Sequence, residues 1–444
     1  MIQLPQIDVQ SNLPVYRQLY AGLKSSILAG QLGDGDRLPP TRDLAQQMGL
    51  NRATVSAAYA LLEEDGLVSG QVGRGSFVQN KATDEGEISF ATSRPSADLF
   101  PLDEFRETAQ EVLSRQALQI LQLGSPFGYG PLRSFLIDEA IGEGNFDPEH
   151  DDLLITSGCQ QALDLIQKAL IPRGSLVLAE EPVYPGLKNA FSNGLTTNPG
   201  AANIEAAIVT PSFHNPTGYT MNLAERQNLA ASGRLLIEVD IYSRLRYSGE
   251  ALPTVRSMGV KNSILLRSFS KIAFPGLRVG WVIANKAAVQ RLATAKQWTD
   301  LHSDQLSQAI MLEFARTGRL DAHLARVLEA GRLRLAATLE NLEKTLPAGS
   351  TYSRPEGGMN LWVTLPRGCD SGAILEKARR EGVSYLPGRY FSLSEPFHES
   401  FRLSFAGLSP TRIAEGLRRL APLFEEEAQI ASRYHDPLPA LAMV

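Results

Sequence analysis

A chain of 444 residues is long enough for about three average domains, which excludes a lone small module and leaves room for a large buried core. Hydrophobic residues at 43% and charged residues at 20% exclude a disordered, collagen-like or coiled-coil chain. A net charge of −5 gives no general affinity for nucleic acid, so any DNA contact must be focal.

The start, Met1-Ile-Gln-Leu-Pro, carries neither a basic region nor an apolar segment, and no run of about 18 uncharged apolar residues occurs. The expectation is a cytoplasmic protein without membrane attachment. Cys159 and Cys369 are too few for a disulfide framework, and the histidines show no metal-ligand spacing, so no metal is expected.

From Pro14 to Ile27, Val15, Leu19, Leu23 and Ile27 recur every four positions and predict a helix with one apolar face, ended by Gly30. Thr41 is then expected to cap a short helix that turns Leu44 and Ala45 inward and closes at Gly49-Leu50. Asn51 is the expected N-cap of a second helix carrying Val55, Ala58, Tyr59 and Leu62, stopped by Gly66. Val68 to Val78, broken by Gly70, Gly73 and Gly75, predicts a small hairpin. Helix, helix–turn–helix, hairpin is the order of a winged helix-turn-helix over residues 1–78.

Residues 79–87 are short and polar, and predict a linker. From 88 to 427 apolar runs such as Leu153–Thr156, Leu235–Val239 and Ser263–Leu266 alternate with helical stretches, which predicts an α/β unit of parallel strands with crossover helices. Residues 428–444, with Pro437 and Pro439, are expected to be a poorly ordered tail.

A recognition helix presents polar side chains at its N-terminal end to base edges while the helix before it braces against phosphate. Asn51, Arg52, Thr54 and Ser56 lie where the first task requires; Arg42 and Arg74 suit backbone or minor-groove contact. Residues 1–80 nevertheless hold six Lys and Arg against seven acids. The strings Arg37-x-Pro-Pro-Thr41-Arg42-x-Leu-Ala, Asn51-Arg-Ala-Thr-Val and Gly73-Arg-Gly-Ser-Phe-Val resemble the GntR family of bacterial winged-helix regulators, which implies double-stranded DNA as a partner.

The most informative string is Ser268-Phe-Ser270-Lys271-x-x-x-Pro-Gly-Leu-Arg278-x-Gly. A lysine at the end of an apolar strand, flanked by hydroxyls and followed by an arginine, suits an amine that bonds a phosphorylated aldehyde while the other groups hold its phosphate. Thr156-Ser-Gly-Cys-Gln joins a strand to a helix, so the N–H groups of Gly158, Cys159 and Gln160 can meet phosphate. Tyr184 sits in a loop after a strand, where its ring could stack on a pyridine or simply pack. Asn215, in His-Asn-Pro-Thr-Gly, and Tyr242 can both donate to a phenolic oxygen.

In order, these strings resemble fold-type I pyridoxal-phosphate enzymes of the aspartate aminotransferase group, which implies a mixed, mostly parallel sheet and a C-terminal small domain over about 325 to 427. The resemblance implies that Lys271 forms the imine, that Arg278, Ser268 and Ser270 hold the phosphate, that Tyr184 stacks, and that Asn215 and Tyr242 bind the phenolic oxygen. Phe401-Arg402-Leu-Ser-Phe matches the segment whose arginine clasps a carboxylate, a bidentate task suited to guanidinium. A GntR-like module ahead of such a domain resembles the MocR/GabR type of regulator, which implies a homodimer and a small amino-compound effector.

Two departures are visible. The family's aspartate for the pyridine nitrogen aligns with Val239, leaving Asp240 as the nearest candidate, one residue off and so on the other strand face unless a bulge intervenes. Between Tyr184 and Ser212 the chain is short, as though a strand–turn–helix unit were missing, and a smaller contraction falls near Ala231-Ser-Gly. The leading expectation is a pyridoxal-phosphate-dependent transcriptional regulator that senses its effector by imine exchange, rather than an enzyme in turnover. The alternatives are an active aminotransferase with an appended DNA module, and a cofactor-free repressor on an inactive scaffold.

Overall fold

The computed structural model describes residues 14–28, 32, 36–64, 67–71, 75–78, 87–192 and 194–435. They belong to two compact units, Met1–Glu87 and Ile88–Val444.

In the first unit α1 (Val15–Leu28), α2 (Thr41–Met48) and α3 (Arg52–Glu64) precede an antiparallel pair, β1 (Val68–Gln71) and β2 (Gly75–Val78). The fourfold spacing of Leu19, Leu23 and Ile27 turns them together into a core with Leu44, Val55, Ala58 and Leu62. Thr41 does not cap α2: it is the first helical residue, and Pro40 occupies the cap with no side-chain bond. A proline's fixed φ and missing N–H suit the start of a helix, so the hydroxyl is not needed there. Gly49 closes α2 at φ 64, the left-handed conformation glycine adopts without penalty, its N–H donating to the Ala45 and Gln46 carbonyls. Asn51 Oδ1 accepts from the Ala53 N–H at 3.0 Å, as a cap of α3 should. The stop expected at Gly66, the hairpin tip at 72–74 and the linker up to 86 lie outside the described residues.

The second unit opens with β3 (Ile88–Ser89), α4 (Leu102–Ile120) and α5 (Gly130–Gly142). There follow β4 (Asp151–Thr156), α6 (Cys159–Ala169), β5 (Leu176–Ala179), α7 (Pro185–Ala190), β6 (Leu195–Thr196), β7 (Ile204–Val209), α8 (Leu223–Ala230), β8 (Leu235–Val239), β9 (Ser263–Ser268) and β10 (Gly280–Asn285). The seven strands from β4 to β10 form one sheet in the order β4-β10-β9-β8-β7-β5-β6. Strand β10 runs antiparallel to both its neighbours and every other pairing is parallel. Helices cover both faces, so the strands read as unbroken apolar runs: Leu153 and Ile155 enter one core and Leu154 the other.

The strand expected to be missing is present in reduced form. Chain between Tyr184 and Ser212 still makes α7 and the two-residue edge strand β6, and only the stretch from 197 to 203 returns to β7 without a helix. An edge strand has one neighbour, so shortening it leaves the inner ladder intact. The contraction at Ala231 is a tight turn from α8 into β8, with Gly233 at φ 69.

Helices α9 (Lys286–Asp300), α10 (Gln305–Arg316) and α11 (Arg319–Thr345) lead to β11 (Thr351–Tyr352), β12 (Asn360–Thr364), α12 (Ser371–Arg380), β13 (Val383–Ser384), β14 (Leu386–Pro387), β15 (Ser400–Ser404) and α13 (Pro410–His435). The small antiparallel sheet has the order β11-β12-β15-β14, and β13 pairs in parallel with β3. Residues 428–435 are not a loose tail: they continue α13, and Ala431 is buried on the same apolar face as Leu417, Leu420 and Phe424. No helix among the described residues is long and apolar enough to cross a membrane.

Candidate functional site

In the first unit Asn51, ahead of α3, and Arg52 and Ser56 on it are exposed, as is Arg42 on α2; Thr41 and Thr54 are half-buried. Arg37 is exposed beside the hairpin, its backbone bridged to Phe77, and the side chain packs so closely that a Cβ on Gly75 would lie 2.9 Å from its Nε. Arg74 lies outside the described residues.

In the second unit the chemistry gathers at the C-terminal ends of the parallel strands, the usual ligand edge of an open α/β sheet. β9 ends at Ser268 and gives way to one 3₁₀ turn, Phe269–Lys271, which Ser268 caps by accepting from the Ser270 N–H at 3.1 Å. The Ser268 hydroxyl contacts the Ser270 hydroxyl at 2.8 Å, and the two line a cavity of about 400 Å³ into which Lys271 also projects. Lys271 Nζ donates to the Ser93 carbonyl at 2.7 Å and lies 5.7 Å from the centre of the Tyr242 ring.

Arg278 takes a left-handed conformation at φ 54 and reaches across to the Ser157 carbonyl at 3.3 Å. Gly158, at φ 85, caps α6 directly beneath that guanidinium, and a Cβ there would run into it. Gly280, the last residue of the Arg278 string, brings β10 so near that its Cβ would lie 2.9 Å from the Gly158 Cα. Both glycines are therefore required by close approach. Cys159 and Gln160 line the cavity at the start of α6; burial pushes the Cys159 thiol up to about 12, so it stays protonated.

Tyr184 precedes α7 on the cavity wall, its phenol raised by burial. Tyr242 is buried on the same wall, and Asn215, followed by a cis bond to Pro216, accepts from Arg402 Nη1 at 2.9 Å. Arg402, on β15, is 4% exposed; its Nη2 donates to the Ala91 carbonyl and its Nε has no partner among the described residues. Burial lowers its pKa, opposed by the Tyr242 and Tyr184 phenols.

Asp240 is not brought to this site. Val239 lines the cavity, whereas Asp240 Oδ2 is held by Arg267 Nε at 2.9 Å and Nη2 at 2.8 Å, beside Glu143. No bulge corrects the one-residue offset: β8 and β9 pair in even register from Leu236–Ser263 to Val239–Leu266, so alternation sends Asp240 to the opposite face.

Several contributors have no local signature in the sequence. Ala91, Thr92 and Ser93 wall the cavity although Ser93 is 178 residues from Lys271. Gln161 braces the start of α6, accepting from the Ser157 N–H at 2.8 Å and donating to Asp300 at 2.6 Å; Asp300 in turn pairs with the fully buried Lys296. The i, i+4 spacing of Lys296 and Asp300 on one helix was the available clue.

A family model described as "Aminotransferase class I and II" matches residues 87–420. The chain belongs to that family. A second model, "Bacterial regulatory proteins, gntR family", matches residues 15–78. Aromatic-amino-acid aminotransferase 1 of Thermococcus litoralis is 33% identical over 368 residues, 77% of this chain and 88% of that one. The HTH-type transcriptional regulator YdfD of Bacillus subtilis is 27% identical but matches 96% of this chain and all of its own, and MocR of Rhizobium meliloti is 23% identical over 94% and 95%. Among solved structures, the α-aminoadipate aminotransferase LysN of Thermus thermophilus, complexed with N-(5'-phosphopyridoxyl)-L-leucine, superposes with a TM-score of 0.71 at 33% identity, covering 84% of this chain and 99% of that one. The GntR-plus-aminotransferase organisation thus runs through full-length relatives of the MocR type.

The donor set fits a phosphorylated pyridoxal. Cations Arg278 and Lys271, the hydroxyls of Ser268 and Ser270 and the N-terminus of α6 converge on one cavity, and a Cβ on Gly158 would displace the arginine.

Proposed function

We propose that this family member is a pyridoxal-phosphate-dependent transcriptional regulator whose DNA binding responds to a small amino compound. One observation carries the reading: Lys271, Arg278, Asn215, Tyr242 and Arg402 line a single cavity in a chain that also carries a GntR-family helix-turn-helix. A scaffold that only dimerised would need none of these five groups together.

Arg278, Ser268, Ser270 and the N–H groups at the start of α6 would hold the phosphate, Tyr184 would cover the ring, and Asn215 and Tyr242 would meet the phenolic oxygen. When bound, the cofactor supplies an aldehyde carbon on which one amine replaces another, the incoming nitrogen giving up two protons that Lys271 takes as it leaves. Arg402, whose Nε has no partner among the described residues, would clasp the effector's carboxylate and so draw the small domain toward the large one.

Arg52, Asn51, Thr54 and Ser56 would read bases, while Arg37, Thr41, Arg42 and Arg74 would meet the backbone or minor groove. A homodimer would present two such helices to half-sites about one DNA turn, or a multiple of it, apart. Leu118, Leu121 and Leu123, at 85%, 78% and 82% exposed, and Trp298 at 86%, support a second copy covering this unit.

The test is to select a genomic DNA fragment with the full-length protein and measure its affinity with and without pyridoxal phosphate and candidate amines. The wild type should shift its affinity on amine addition, while Lys271→Ala should bind the fragment but not respond. A Lys271→Ala protein that responds as the wild type does would refute the reading.

A further inference from the structure

Resting on the cofactor reading above, we infer that this pocket holds the cofactor ring with its nitrogen unprotonated and without an acidic partner, so that it reports amines by reversible exchange and does not consume them. Among the described residues lining the cavity there are two arginines, Arg278 and Arg402, and one lysine, Lys271, and no aspartate or glutamate. No lining side chain is therefore an anion that could hold a proton on the ring nitrogen.

The wall that β8 contributes is apolar. Val239 lines the cavity and belongs to the same buried cluster as Leu163, which also lines it. The carboxylate next in sequence is out of reach: Asp240 is 7% exposed and spent on Arg267 on the other face. Bringing it round would require β8 to slip by one residue against β9, breaking the Val239–Leu266 register and the ion pair together.

The chemical consequence is selective. Exchange of one amine for another at the aldehyde carbon needs only that carbon. Proton removal from the α-carbon of a bound amino acid needs the ring to withdraw electrons, which a protonated nitrogen does far better than a neutral one. A site with Val239 in this place keeps the first reaction and lacks the driving group for the second, which suits a reader of effector concentration.

The experiment compares pyridoxal phosphate with its 1-deaza analogue, in which a C–H replaces the ring nitrogen, binding each to the full-length wild type and to Val239→Asp by titration calorimetry. A ring nitrogen buried against an apolar wall loses its hydrogen bond to water, so the wild type should bind the analogue at least as tightly as the parent compound. Val239→Asp should reverse the order by tenfold or more in favour of pyridoxal phosphate. A wild type that prefers pyridoxal phosphate by tenfold or more would overturn the inference while leaving the cofactor reading intact. An unchanged preference in a folded Val239→Asp protein would overturn the assignment of Val239 to the ring nitrogen. Binding of neither compound to the wild type would overturn the cofactor reading and this inference with it. The wild-type comparison decides alone if the buried carboxylate prevents folding.

Discussion

Replacing Arg402 by glutamine should separate effectors by whether they carry a carboxylate. Arg402 is nearly fully buried and spends Nη1 on Asn215 and Nη2 on the Ala91 carbonyl; among the described residues its Nε has no partner and no carboxylate lines the cavity to balance its charge. A ligand carboxylate would supply that balance. A hydrogen bond to a charged group contributes about 1.5–3 kcal/mol net, which at about 1.4 kcal/mol per tenfold is a factor of roughly 10 to 150 in affinity. The assay uses matched pairs, an amino acid and the amine left when its carboxylate is removed, and follows displacement of Lys271 by near-visible absorption. Arg402→Gln should weaken the amino acid by that factor and the amine by a few-fold at most, the small common loss reflecting the donor that Asn215 no longer has. Equal weakening of both, or of neither, would refute the carboxylate role.

Gly158→Ala should lower pyridoxal-phosphate affinity by tenfold or more and lower the thermal midpoint, because a left-handed backbone with a side chain costs about 1–3 kcal/mol and the added Cβ displaces Arg278. Unchanged cofactor titration would refute the cradle. His323 is buried against Phe274 and Phe314 with neither ring nitrogen hydrogen-bonded among the described residues, and burial holds its pKa at about 4, with Arg326 lowering it further and Glu104 opposing. The unfolded chain therefore binds a proton that the folded chain refuses, and stability is lost as pH falls through the range from 6.5 to about 4. His323→Phe should stabilise the protein by about 2 kcal/mol more at pH 5 than at pH 8, read from denaturant midpoints; a pH-independent difference would contradict the buried neutral ring. In the DNA module, Arg42→Ala should weaken all sequences alike and reduce the salt dependence by about one counterion, whereas Arg52→Ala should relax sequence preference in competition binding.

Much of the site was legible because its chemistry sits in short strings tied to strand ends. Lys271 and Arg278 follow an apolar strand whose length and hydroxyl border are local properties, and strand alternation alone set Asp240 apart from Val239. The remainder depends on contacts that no local pattern encodes. The Ser93 and Ala91 carbonyls reach Lys271 and Arg402 across most of the chain, and the Gln161–Asp300–Lys296 brace joins two helices far apart in sequence. Strand β6 is too short for any alternation to show, which is why the sheet reads as trimmed from sequence although all seven strands remain. Pro437 and Pro439 suggest a tail from 428, whereas the apolar stripe of α13 continues to Ala431. Thr41 misled for the opposite reason: a strong local cap signal yielded to the proline before it.

Borohydride reduction of the full-length protein with bound pyridoxal phosphate, followed by mapping of the modified peptide, tests the central claim most directly. One adduct per chain on Lys271 is the result this account predicts. No adduct, or an adduct on another lysine, would contradict it and leave the second unit as a scaffold for the helix-turn-helix.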